Sequence, residues 1–497
     1  MKPARLALLT VVVLALVGLS AVWGGRKDAE PAAVERFPVP AVRADGDLPV
    51  TWYCAAGTAG VTAPHYLFLS NPGDEPVTVQ LTGYTAEGAT PAREVKVPPS
   101  GPVGIDVAQF TGDPTASVLV RSPDPRLTVD HQLLADGYGD RASCLGSTSD
   151  DWYFPSLSTT RDARALLTLF NPFPGDAGVD IEVGFDTGTR VPTSVTGVVV
   201  PAGTVKVIDL GQQGIAERRE QFTAVVRSRS GRVLAEVVQT WDGSLGPKGL
   251  QLAPGVPAAQ ERWAFAGGFT GAGVAERLVL QNPGDERADV LVQVTPYGGS
   301  SSPPEPIEVT VEARRYAVVD LSAESRVPGV GYHSIDVESD RPVVVARTNW
   351  LTGGPEGEAP DGVVARPALT RGVAISTGTP VAARTWIVPA IDAGWDPAPV
   401  VLVHNPSEGI AMVTLTAYVD GGSDEIADAV DVEVAPGDSM AVPLPWADGR
   451  PEVTIRVTAG APVVVERLTV YVPEDELALD LAVLVHTPGE PLRPLGG

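Results

Sequence analysis

A tryptophan and an asparagine stand 19 residues apart four times in this chain. The pairs are Trp52 with Asn71, Trp152 with Asn171, Trp263 with Asn282 and Trp386 with Asn405. Each Trp opens an apolar segment. Each Asn closes a second one directly before proline, as LFLSNP, LTLFNP, LVLQNP and VLVHNP. Recurrence in fixed register means that one structural unit is used four times, and it constrains the fold more than any local propensity. A period of roughly 100–120 residues is too long for one propeller blade or one solenoid turn.

The likeness continues past the Asn-Pro turn. A second alternating run follows, at Val77–Tyr84, Val179–Phe185, Ala288–Tyr297 and Ala411–Tyr418. A strand then carries Ile105-Asp106-Val107, Ile208-Asp209-Leu210 or Val319-Asp320-Leu321; the fourth unit has Pro443-Leu444 there and lacks the Asp. Two closing runs end each unit. About seven short runs of period two per unit make an all-β chain, because alternation gives each strand one face to bury and two such faces must cover each other. The expected fold is therefore four tandem immunoglobulin- or fibronectin-like β-sandwich domains. They occupy 41–147, 148–258, 259–381 and 382–497. Short linkers suggest a compact row, a rod or arc; a ring of four is an alternative that no residue demands. The stretch from Leu351 to Ile375, rich in Gly and Pro, reads as an exposed loop.

The N-terminus sets the compartment. Lys2 and Arg5 precede an uncharged apolar run from Leu6 to Trp23, long enough for one spanning helix. A small-residue cleavage site is poorly formed at Leu19-Ser20-Ala21. Residues 1–27 are read as an uncleaved signal anchor with its helix at about 6–23. Residues 28–40 are read as a short stalk, with the remainder outside the membrane. Secretion after signal-peptide cleavage is the alternative. A formal net charge of -25, with no basic run, excludes nucleic acid as an expected partner. Only Cys54 and Cys144 are present. In an exported chain such a pair reads as a disulfide, with two buried free thiols as the alternative.

The N-terminal anchor, the Trp52-Tyr53-Cys54 opening and the repeated apolar-Asn-Pro motif together resemble an actinobacterial family. Its members are membrane-anchored secreted proteins of unknown function, built from immunoglobulin-like sandwich repeats. The resemblance covers nearly the whole chain. Its motif is fold-level, and it implies no catalytic residues.

No chemical motif stands beside the repeat. The histidines, His65, His131, His333, His404 and His486, form no metal-ligating spacing and read as partly exposed structural residues. There is no Gly-x-Ser-x-Gly, phosphate loop or dinucleotide fingerprint. Asp106, Asp209 and Asp320 hold equivalent places, and repetition argues for strand-end hydrogen bonding over catalysis. Asp74, Glu75, Asp285 and Glu286 could offer oxygens to calcium, but their spacing matches no calcium loop and acidic turns are ordinarily solvated. No cofactor and no metal site are expected. The recurring Trp and Asn residues read as structural. Trp395, outside the repeat pattern, is the candidate for contact with a ligand. These features predict a non-catalytic cell-envelope scaffold, spacer or adhesive surface on the membrane. The alternative is a module that recognises an envelope polysaccharide. An envelope protein is the other class of partner.

Overall fold

The computed structural model describes residues 39–43, 49–55, 57, 63–135, 138–271, 273–298, 304–351, 372–391, 399–419, 422–444, 453–471, 476–481, 483–486 and 493–495. The expected anchor, residues 1–27, and most of the stalk lie outside these, as does Trp395. Among the described residues no helix is long and apolar enough to cross a membrane. One contact unit runs from Pro38 to Gly497. It is all-β.

Repeat 1 shows the plan. After β1 (Ala41–Arg43), its strands are β2 (Val50–Cys54), β3 (His65–Asn71), β4 (Val77–Thr85), β5 (Gly88–Ala89), β6 (Arg93–Val97) and β7 (Gly101–Asp106). A short helix α1 (Val107–Thr111) precedes β8 (Ser117–Ser122), β9 (Thr128–Ala135) and β10 (Tyr138–Ser143). The strands form two sheets. One is ordered β2-β8-β4-β5, with β6 also on β4; the other is β10-β9-β3-β7. The pairings β3–β7 and β4–β8 match the B–E and C–F neighbours of the immunoglobulin order. The rest of the order departs from it, because β9 and β10 join the β3–β7 sheet and not the β4–β8 sheet.

Repeat 2 runs through β11 (Asp151–Leu157), β12 (Ala163–Asn171), β13 (Ala177–Phe185), β14 (Gly188–Arg190), β15 (Val198–Val200), β16 (Thr204–Asp209), β17 (Phe222–Ser230), β18 (Leu234–Asp242) and β19 (Lys248–Pro254). Its sheets, β11-β17-β13-β14 and β16-β12-β18-β19, repeat the order. Repeat 3 has β20 (Gln260–Thr270), β21 (Val274–Asn282), β22 (Ala288–Pro296), β23 (Ile307–Val311), β24 (Arg315–Asp320), β25 (Gly331–Leu351) and β26 (Gly372–Thr377). Here the two closing runs fuse. The first half of β25 pairs with β20 and β22, and the second half with β21 and β26. Repeat 4 follows the same course through β27 (Val381–Ile391), β28 (Val400–His404), β29 (Ala411–Val419), β30 (Gly422–Glu425), β31 (Val432–Val434), β32 (Ser439–Pro443), β33 (Val453–Tyr471) and β34 (Glu476–Leu481). Two late strands, β35 (Val483–His486) and β36 (Arg493–Pro494), pair with β27.

The repeats close into a ring. The last strands of the four units lie side by side: β10 beside β19, β19 beside β26, β26 beside β34, and β34 beside β10. Outside this axis the sheet carrying the Trp strand of one repeat packs on the Asn-strand sheet of the next. Thus β4 meets β16, β11 meets β21, β20 meets β28, and β27 of repeat 4 returns to β3 of repeat 1. The contact is head-to-tail and closes at four, which gives a propeller-like arrangement of sandwiches in place of the expected row. The seam between repeats 4 and 1 has no peptide link, and β1 pairs in parallel with β35 there.

Closure explains the apolar runs. A strand with one face in its own core and the other on a neighbour is buried on both sides, so its sequence stops alternating. All five residues of β28 are buried, His404 included. In the Trp strands the two faces are separable. Trp52, Trp152, Trp263 and Trp386 turn into their own sandwich and are at most 2% exposed. The next residue faces the seam, where Tyr53 meets Phe173 and Tyr153 joins the core of repeat 3.

Candidate functional site

The recurring residues have one role each, four times over. Each Trp indole Nε1 donates to a backbone carbonyl at the head of the strand that follows the first closing run. The acceptors are Leu127, Val233, Val343 and Val463, at 2.8, 2.8, 2.9 and 2.8 Å. A buried indole N–H needs such a partner, and this one also fixes where the chain crosses from one sheet to the other. Each Asn amide donates across its own turn, to the carbonyl of Glu75, Gly175, Glu286 or Gly409, four residues on. Each Asn Oδ1 accepts from the backbone N–H two residues on, in Gly73, Phe173, Gly284 or Ser407. The side chain thus replaces hydrogen bonds that the Pro removes from the turn. The equivalent aspartates also end strands. Asp106 caps α1 by accepting from Gln109 N, Asp209 accepts from Gly211 N, and Asp320 accepts from Ala323 N. Cys54 and Cys144 form a disulfide that joins the two ends of repeat 1.

The acidic turns are engaged by arginine in repeat 3. Arg314 Nε lies 2.6 Å from Asp285, and Arg341 Nη2 lies 2.8 Å from Glu286. Asp74 and Glu75 of repeat 1 are exposed. Among the described residues no group of three or more His, Cys, Asp or Glu is placed to hold a metal ion.

The histidines overturn their sequence reading. His65, His131, His333 and His404 are not partly exposed; each has 0% relative exposure. They belong to a set of buried charges at the seams. Counting from the carbonyl that accepts the Trp indole, the third residue is Asp130, Glu236, Ala346 or Glu466, and the fourth is His131, Val237, Arg347 or Arg467. The fourth residue of one repeat pairs with the third residue of the next. His131 Nε2 lies 2.9 Å from Glu236, Arg347 Nη2 lies 3.2 Å from Glu466, and Arg467 Nη1 lies 3.1 Å from Asp130. Between repeats 2 and 3 the two positions hold Val237 and Ala346, and both charges are missing together. That is what the energetics of buried pairs allows. Removing both partners is tolerated, whereas removing one strands a charge at a cost of about 3–5 kcal/mol.

Further bonds complete each network. Glu466 also accepts from Gly267 N at 2.6 Å, and Arg347 donates to Ser376 Oγ at 2.8 Å. Arg347 lies over the Phe265 ring as well. Arg467 donates to the Pro389 carbonyl, and Asp130 accepts from Ser143. Glu276 is bound by His333 at 2.8 Å. Burial works against its ionisation, but its contacts with His333, Arg347 and Asn349 outweigh it and hold the carboxyl below the usual range. The file Glu236–His131–His65, with 3.3 Å between the two imidazoles, has the connectivity of a proton relay. All three side chains are at most 1% exposed, so a substrate has no access to them in this closed form.

A cavity lies on repeat 4. It measures about 390 Å³ and is lined by Arg384, Ser407, Glu408, Pro462, Arg493 and Pro494 among others. The seam charges have a sequence signal that the repeat reading passed over: a charged residue inside an otherwise apolar run, as in VVVAR, VVVER and TVDHQLL.

Comparison with known proteins adds little chemistry. No curated protein matches the chain. Among solved structures it is similar to Thermotoga maritima 1070, at 20% identity over 24% of this chain and 93% of that one, with a TM-score of 0.19. It is also similar to the Anabaena sensory rhodopsin transducer, at 28% identity over 18% of this chain and 93% of that one, with a TM-score of 0.16. Scores this low carry neither fold nor function across. Residues 140–371, rather less than half of the chain, match the model of a family described as of unknown function, DUF5719, so the similarity that stands is to an uncharacterised family.

Proposed function

We propose that this chain is a non-catalytic scaffold of the cell envelope, held to the membrane by its N-terminal segment and folded outside it as a rigid ring. The observation that carries this reading is the use of the buried charges. Three buried pairs, His131–Glu236, Arg347–Glu466 and Arg467–Asp130, bind one repeat to the next, where they fix geometry. A disulfide in repeat 1 agrees with an oxidising compartment. The proposal includes the finer sequence readings: an actinobacterial origin, sandwiches related to the immunoglobulin fold, and residues 1–27 as an uncleaved anchor. Its partners would be other envelope proteins, presented on the outer rim.

Two measurements test it together. Carbonate extraction of membranes from a bacterial host, with protease shaving of intact cells, should leave the chain in the pellet and accessible from outside. Release by carbonate would mean a cleaved leader and a secreted ring. Co-sedimentation with protein-free wall polysaccharide should show no saturable binding. Saturable binding abolished by a glycan competitor would move the reading to a polysaccharide-recognition module, and Trp395 and the Arg384–Arg493 cavity would be mapped first.

A further inference from the structure

The four histidines with described side chains gather at two of the four seams. Between repeats 1 and 2, His131 faces Glu236 from β18 and His65 from β3. Its chain neighbour Asp130 points to the other face of the strand, towards Arg467 from β33 and Ser143 from β10. Between repeats 3 and 4, His404 Nε2 lies 3.1 Å from Asp336 of β25, and its Nδ1 lies 2.9 Å from Ser439 Oγ, beside the Asp438 carbonyl. His333 binds Glu276 of β21, which also faces the Arg347–Glu466 pair across the same seam.

The other two seams are held differently. Repeats 2 and 3 meet through Gln251, which donates to the Ile375 carbonyl at 2.7 Å and accepts from Ile375 N at 2.8 Å. Ser156 bonds Thr348, and Tyr316 donates to the Gln221 carbonyl. Charges there are the guanidinium pairs Arg277–Glu220 and Arg314–Glu182. Repeats 4 and 1 are joined by Arg467 on Asp130. Guanidinium stays charged at any ordinary pH, and none of the four histidines with described side chains lies at these two seams.

We propose that the seams between repeats 1 and 2 and between repeats 3 and 4 are pH-dependent joints, opposite each other in the ring. They divide it into two halves, repeats 2–3 and repeats 4–1, each of which stays closed when a joint loosens. The joints respond to opposite excursions. Burial opposes a proton on His404, but the Asp336 carboxylate overcomes this and raises its pKa. A raised folded value means stability that is present in acid and lost as pH rises through it, beyond the ordinary imidazole range. Burial pushes His65 well below the ordinary value, and the neighbouring His131 adds to this. A lowered folded value means stability that is present above the ordinary range and lost as pH falls. Acid therefore loosens the joint of repeats 1 and 2, and alkali that of repeats 3 and 4.

Hydrogen exchange of the full-length protein at pH 5, 7 and 9, corrected for the intrinsic pH dependence of exchange, reads each seam separately. At pH 5 amides of β9 and β18 should exchange about tenfold faster than at pH 7, and at pH 9 those of β28 and the first half of β25 should do so. β19 and β26 should keep their protection throughout. Equal change at all four seams, or none at any, overturns the proposal. Asp336→Asn supplies a second reading, since this carboxylate is 37% exposed and its loss is tolerable. The variant should lose the alkaline response and keep the acid one; an unchanged alkaline response overturns the role of His404.

Discussion

The indole of Trp263 does two things at once: it fills the core of repeat 3 and bonds the Val343 carbonyl. Trp263→Phe keeps most of the volume and leaves that carbonyl without its donor. The expected loss is about 1–3 kcal/mol, measured by urea unfolding. Trp263→Ala should cost about 3–5 kcal/mol through the added cavity. Equal losses in the two variants would mean that the bond, and not the packing, dominates. The seam pairs make a sharper case. Arg467→Met alone leaves Asp130 buried and unpaired and should destabilise by about 3–5 kcal/mol. Arg467→Met combined with Asp130→Leu should recover most of that loss, because the seam of repeats 2 and 3 already works with Val237 and Ala346. A double variant as unstable as the single one would show that the pair is needed for more than mutual neutralisation. The Trp and Asn positions were legible in the sequence because their spacing repeats. The pairing of His131 with Glu236 was not. The two partners stand in different repeats, and no local pattern names a partner across a seam.

At the scale of elements, the strand content and the turn after each Asn followed from period-two runs and Pro. The second face of each strand was harder to read. Val400–Val403 is a continuous apolar run, and a strand in a free-standing sandwich would alternate there. That departure was the available sign that a neighbouring repeat covers the outer face. The fused strand β25 was equally hidden, because Asp340-Arg341-Pro342 looks like a turn yet only carries the chain from one sheet to the other. The disulfide acts at this scale as well. It closes a separation of 90 residues, worth about 4.6 kcal/mol on the chain-entropy estimate. Replacing Cys54 and Cys144 by Ser should lower the thermal midpoint, and a reducing agent should do the same to the natural protein and leave the double variant unchanged. An equal response of both to reductant would place the effect elsewhere.

For the whole molecule, the ring makes each repeat dependent on its neighbours. The Trp-strand sheet of one unit and the Asn-strand sheet of the next share apolar clusters, as when Ala264, Ala266 and Tyr332 pack with Val400, Leu402 and Val464. Cut free, residues 148–258 would expose both faces to water, so this fragment is expected to be unfolded or aggregated. The Pro38–Gly497 unit should unfold in one cooperative transition; calorimetry that resolved four independent transitions would contradict that. The apolar exception at the seam of repeats 2 and 3 has a consequence for how such a chain can be reshuffled. If repeats 2 and 3 traded places, His131 would meet Ala346, Arg347 would meet Glu236 in place of Glu466, and Val237 would meet Glu466, leaving that buried acid without its guanidinium. The charges therefore work as addresses. Each buried charge ties its repeat to a particular neighbour, because an arrangement that leaves one of them unpaired carries the cost of a stranded charge.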